Sequence, residues 1–226
     1  MLMTKPVCTA MLLLALVSSA EAHYVWLERD GDGSARVYFG EWARDIREKA
    51  GGLLDRIKMP RAFLGASNAP LAIKRHDNHI EITVKGRGDL RLVENTMAPR
   101  DDKEKSGKTR TIYYAKTGRS ETAAKLDLEL VPSTADGNKF VVLFNGGPLP
   151  KAELTVYGPP KWEKKLTTDE QGSVTVPTPW AGFYVVQIVH FDETAGDLSG
   201  TNFDRTRHIS SLSFVNSKGH RWPVSR

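Results

Sequence analysis

The chain has 226 residues, 40% of them hydrophobic and 26% charged, a balance that excludes a disordered tail or a multi-span membrane protein. Its 19 glycines and 12 prolines are too few for a collagen-like or linker protein, yet enough to punctuate many short strands. The net charge of +5 arises from 32 Lys and Arg residues spread among 27 acids, without the concentrated basic patch that a nucleic-acid partner requires.

Residues 1–22 read as a cleaved secretory signal. A short positive stretch ends at Lys5, residues 7–17 are apolar, and Ala20-Glu21-Ala22 fits a small-residue cleavage site. The apolar run is shorter than the roughly 20 residues a spanning helix needs, so no membrane span is expected after processing. Cys8 lies ahead of the core of that run, Met11 to Val17, and does not follow it, which argues against lipid attachment there. The expected location is the periplasm, with His23 at the mature N-terminus.

From His23 onward the signals are β. Residues 24–27 and 35–39 flank the turn Arg29-Asp30-Gly31-Asp32-Gly33 and predict a hairpin. Residues 41–50 predict one short helix or irregular excursion, ended by Gly51-Gly52. Further strands are expected at 71–74, 79–84, 89–93 and 111–115, with a solvated charged loop at 99–108. The small, polar segment 116–124 reads as a linker. A second module then carries strands at 126–130, 139–144, 152–157, 163–167, 173–176, 180–190 and 210–215, with turns around Asn145-Gly146-Gly147 and Asp169-Glu170-Gln171-Gly172. No long segment has helical periodicity. The expected fold is all-β, with two sandwich modules of immunoglobulin-like or transthyretin-like type at 23–124 and 125–216, and a polar tail at 217–226.

The unit Gly147-Pro148-Leu149-Pro150-Lys151-Ala152-Glu153-Leu154, followed by Thr168-Asp169-Glu170-Gln171-Gly172, resembles the carboxypeptidase-regulatory-like sandwich. Four other features make the likeness narrower: His23-Tyr24-Val25-Trp26-Leu27-Glu28 after a signal, Val37-Tyr38-Phe39-Gly40-Glu41, Gly182-Phe183-Tyr184 leading to His190, and Arg207-His208 before the last strand. With these the chain resembles the DUF4198 family of exported bacterial proteins. That resemblance implies a periplasmic role in nickel or cobalt uptake, with a membrane metal transporter as a possible partner, and it singles out the same three histidines.

The residues themselves also point to metal. An N-terminal histidine offers its amine and imidazole to one ion, a chelate that suits copper(II) and also accepts nickel(II). Both groups lose their protons near neutral pH. If the strands ending at His190 and beginning at His208 are antiparallel neighbours, those two imidazoles flank one loop. The expected ligands of copper(II), nickel(II) or cobalt(II) are therefore His23, His190 and His208. Glu41, Asp192 and Asp197 are candidates for an oxygen ligand or a partner that orients an imidazole. His76 and His79, in His76-Asp77-Asn78-His79, read as exposed turn residues, and His220 lies in the tail.

No G-x-S-x-G, P-loop, H-E-x-x-H or C-x-x-C motif is present. The expected role is metal capture or handover without catalysis. Two alternatives stay open: a copper-dependent oxidase or oxygenase using the same chelate, and a cell-surface sugar-binding or interaction sandwich. The five tryptophans are scattered along the sequence and form no recognisable platform.

Overall fold

The computed structural model describes residues 23–102 and 104–222; the expected signal segment and the last four residues of the tail lie outside them. Among the described residues regular structure is all strand, apart from two single-turn 3-10 helices at Trp42–Arg44 and Leu53–Arg56. The first of these is the expected excursion. Asp45 ends it in the left-handed region (φ 55°), and the chain returns directly to a two-residue strand, Ile46–Arg47.

A nine-stranded sheet forms the middle of the molecule. Its main path runs Trp162–Thr167, Glu153–Gly158, Trp180–Asp192, Arg205–Asn216, Lys108–Thr117, Leu90–Glu94 and Arg61–Leu64. All neighbours on this path are antiparallel except Arg205–Asn216 against Lys108–Thr117, which run parallel. The sheet thus takes strands from both sides of residue 124, so the expected division into modules is not a break in hydrogen bonding. The last long strand returns to pair with the first half of the chain.

Each face of this sheet carries a core, because side chains alternate along a strand. Tyr113, Ala115, Val185 and Ile209 face one way and meet the sheet built on Tyr24–Arg29 and Ala35–Glu41. Tyr114, Tyr184, Val186, Ile188, Leu212 and Phe214 face the other way and meet the sheet built on Leu128–Pro132 and Lys139–Phe144. The two sandwiches share their middle layer. This is why the long strands are buried on both faces and read as nearly continuous apolar runs.

Polar groups fix the layers in place. The hydroxyls of Ser211 and Ser213 donate to the carbonyls of Val25 and Leu27, at 2.6 and 2.5 Å, pinning the first strand across the middle sheet. In the other core, Arg91, Lys116, Asp89 and Glu129 are buried together. Arg91 brings Nε and Nη2 to one oxygen, Glu129 Oε1, at 2.9 and 2.8 Å, and Lys116 Nζ lies 3.1 Å from Asp89 and 3.2 Å from Glu129. The ammonium sits off the line needed for a hydrogen bond to either carboxylate, so the contact is an ion pair by proximity. Within the expected polar tail, His220–Arg221 forms a short exposed strand parallel to Trp180 and Ala181.

Candidate functional site

His190 and His208 are brought together. They stand directly opposite each other on antiparallel neighbours, with ring centroids 6.3 Å apart. Both are at even positions, so both project from the face of the middle sheet that carries Tyr184, Val186, Leu212 and Phe214. Phe144 packs against both rings, with centroids 4.4 Å from His190 and 4.9 Å from His208.

The His208 ring is oriented by a chain of hydrogen bonds. Tyr114 Oη lies 3.0 Å from His208 Nδ1 and donates its one proton to Asp127 Oδ2 at 3.1 Å. With that proton committed, the Tyr114 oxygen accepts Nδ1–H, and Nε2 is left with its lone pair. Burial pushes His208 down to about 4, and the neighbouring His190 adds to the shift. Burial also lowers His190. Two imidazoles in one apolar setting are therefore both neutral at pH 7, the state in which an imidazole is a ligand.

Asp192 follows His190 by two residues on the same strand and accepts the Thr194 N–H at 3.0 Å. Its carboxyl is held below the ordinary range first by Thr194 and then by His208 and His190. Asp197 is used elsewhere: it accepts the Gly200 N–H at 2.9 Å and closes the turn between the short strands Gly196–Leu198 and Thr201–Phe203.

His23 does not join this pair. It precedes the strand pinned over Ser211 and Ser213, and its ring packs on Phe39, which packs on Tyr113 of the opposite face. The sheet itself separates His23 from His190 and His208, so a three-histidine site is not formed. His23 instead lies between two carboxylates, with Nε2 2.6 Å from Glu48 and Nδ1 3.5 Å from Glu41. Glu41 reaches this position through Gly40 (φ 144°): a Cβ there would sit 2.1 Å from the Ile46 carbonyl oxygen, so only glycine permits so close a return of the chain. The other carboxylate oxygen of Glu41 pairs with Arg44 at 3.2 Å.

Glu48, Tyr114 and Asp127 are the residues sequence reasoning missed. Tyr114 sits within an expected strand, but the partner of its hydroxyl depends on which face it occupies. Glu48 and Asp127 lie in segments with no motif around them.

His76 and His79 form the expected turn, with the His76 N–H bonded to the His79 carbonyl at 2.9 Å and the rings stacked at 4.6 Å. Parallel stacking keeps their nitrogens from converging on one ion. Among the tryptophans, Trp162, Trp180 and Trp222 meet edge to face, at 68° and 88°, and present no common flat surface. Among the described residues no group of three or more His, Cys, Asp or Glu side chains is arranged to hold a metal ion. No helix among them is long and apolar enough to cross a membrane.

Fold and site together define an all-β sandwich protein with two imidazoles paired across adjacent strands and a third histidine, held by carboxylates, on the opposite face. The chain belongs to the DUF4198 family: the model of that family, a domain of unknown function, matches residues 60–192. The match includes His190 and Asp192 and leaves out His23, Glu41 and His208. Comparison with curated proteins and with solved structures returns no match.

Proposed function

We propose that this is an exported, periplasmic protein that binds a divalent transition metal, copper(II), nickel(II) or cobalt(II), for capture or handover without catalysis. The observation that supports this reading is the pairing of two neutral imidazoles, His190 and His208, in direct register on neighbouring strands. The Tyr114–Asp127 chain commits Nδ1 of His208 and leaves Nε2 as the donor atom, an arrangement common around metal-binding histidines. Asp192, two residues beyond His190 on the same strand, is an acid that would add an oxygen or balance the charge of the ion.

The donor set is incomplete, with two imidazoles in place of three or four ligands. Remaining positions would be filled by water or by a partner's side chain. Such an ion exchanges readily, which suits handover to a membrane transporter better than storage. The nitrogen donors favour copper(II) in the Irving–Williams order, while family resemblance favours nickel(II) or cobalt(II).

Titration of the three ions into metal-free protein tests the reading. His190→Ala and His208→Ala should each weaken binding by more than about tenfold, or about 1.4 kcal/mol. His76→Ala and His79→Ala should leave it unchanged. Equal small effects from all four substitutions would remove the paired histidines from the site.

A further inference from the structure

A cleft of about 760 Å³ opens where both halves of the chain meet, far along the strands from the paired histidines. Its walls come from the end of the first strand (Arg29), the turn after Lys108–Thr117 (Gly118 and Arg119), the 136–138 loop and the end of the last long strand (Phe214 and Val215). Its volume lies in the range of small-molecule sites, and such sites favour seams between structural units.

The charge lining it is unbalanced. Of its three acids, Asp32 pairs with Arg87 and Asp89 with Lys116, two cations that do not line the cleft. Only Asp136 remains to offset Arg29, Arg119 and Lys218, none of which makes an ion pair with an acid among the described residues. Arg29 is anchored through one donor on each of its three nitrogens, to the carbonyls of Gly33, Gly86 and Gly88, which fixes its charge at the rim of the cleft.

Arg119 is different. Its Nη1 holds Gly137 O, at 3.3 Å, and the side chain of Asn138. Its guanidinium carbon sits 4.5 Å over the ring of Phe214. Nε and Nη2 have no hydrogen-bond partner among the described residues, and together they form the edge that grips a carboxylate with two parallel bonds. Burial pulls this arginine below its ordinary value, against the pull of Asp136, as expected where a cation is short of a counter-charge.

The cleft wraps round the end of the middle sheet: Arg119 lies over Phe214 on one face, and Val215 and Phe183, paired in register, line it from the other. Val215 is 62% exposed, among the most exposed large aliphatic side chains, and Phe183 also lines the cleft. An aromatic face under the guanidinium and an aliphatic rim match a flat anion on an apolar arm. They match a tetrahedral, fully hydrated anion poorly.

We infer that this cleft binds a small organic carboxylate, gripped by the Nε–Nη2 edge of Arg119 with its apolar portion against Val215 and Phe183. The inference stands independently of the metal reading, since none of these residues belongs to the histidine sites.

The test is a nitrogen-15 NMR titration of the full metal-free protein with benzoate, and with inorganic phosphate as the charge control. Benzoate should give saturable shifts confined to Gly118, Gly137 and Val215 and their neighbours, and phosphate should not. Arg119→Gln should weaken benzoate binding by at least about tenfold. Val215→Glu, at an exposed position outside both cores, places a negative charge at the mouth and should do the same with the remaining spectrum unchanged. Absence of saturable shifts with benzoate, an equal response to phosphate, or unaltered affinity in both variants would overturn the inference.

Discussion

Acidifying the metal-free protein should cost stability through His208 in a defined window. Burial against Tyr114 and Phe144 places this imidazole at about 4 in the folded chain, against an ordinary value of 6.5 in the unfolded chain. Between those values the unfolded chain takes up a proton that the folded chain refuses. Stability therefore rises with pH through the window, and it is lost as pH falls from about 6.5 towards 4. At about 1.4 kcal/mol per pH unit, the loss comes to about 3 kcal/mol, a large part of the margin of an ordinary domain. Urea unfolding with a chelator present, at several pH values from 7 to 4, measures it. Carboxylates titrate in the same range, so the comparison is with His208→Gln, which keeps a polar side chain but has no titration. The difference in stability between the two proteins should change by about 3 kcal/mol across the window, in favour of the native protein at pH 7. Parallel pH profiles would refute the reasoning, and with it the picture of His208 as a buried neutral ring.

Three further outcomes are expected. Tyr114→Phe removes the acceptor for His208 Nδ1–H and should weaken metal binding by about tenfold or more, with a loss of about 1 to 3 kcal/mol in stability, read by metal titration and urea unfolding of the same preparation. Lys116→Met leaves Asp89 and Glu129 buried without their shared cation and should destabilise the fold by about 3 to 5 kcal/mol in urea, with metal binding at pH 7 retained. Adding a glycine before His23 in a chain otherwise starting there converts the terminal amine to an amide. In a His190→Ala/His208→Ala background, copper(II) binding that remains should fall at least about tenfold on that addition and again on Glu41→Gln; identical calorimetric titrations would show that the amine of His23 takes no part.

The sequence alone determined the fold class and much of the element order. Alternation and turn residues mark short strands, and no segment has the 3.6-residue period that would bury one face of a helix. The hairpin at 24–39 and the antiparallel approach of His190 and His208 were both legible, because each rests on neighbouring segments joined by a turn or a single loop. Tertiary structure decided what lies further apart in the chain. One sheet serves both sandwiches because Arg205–Asn216 inserts beside Lys108–Thr117, a parallel pairing across a long separation that no local pattern records. That insertion also fixed the sites. With a side-chain period of two, even positions of Trp180–Asp192 and Arg205–Asn216 face one core and odd positions the other, so one register places His208 beside His190 and puts His23, over the Ile209 and Tyr113 side, beyond reach. The partners that then orient each ring, Tyr114 and Asp127 for His208, Glu41 and Glu48 for His23, follow from packing between layers. Hydrogen bonds across 13 to 94 residues depend on where whole strands come to rest, and the identity of the residues at their ends does not announce them.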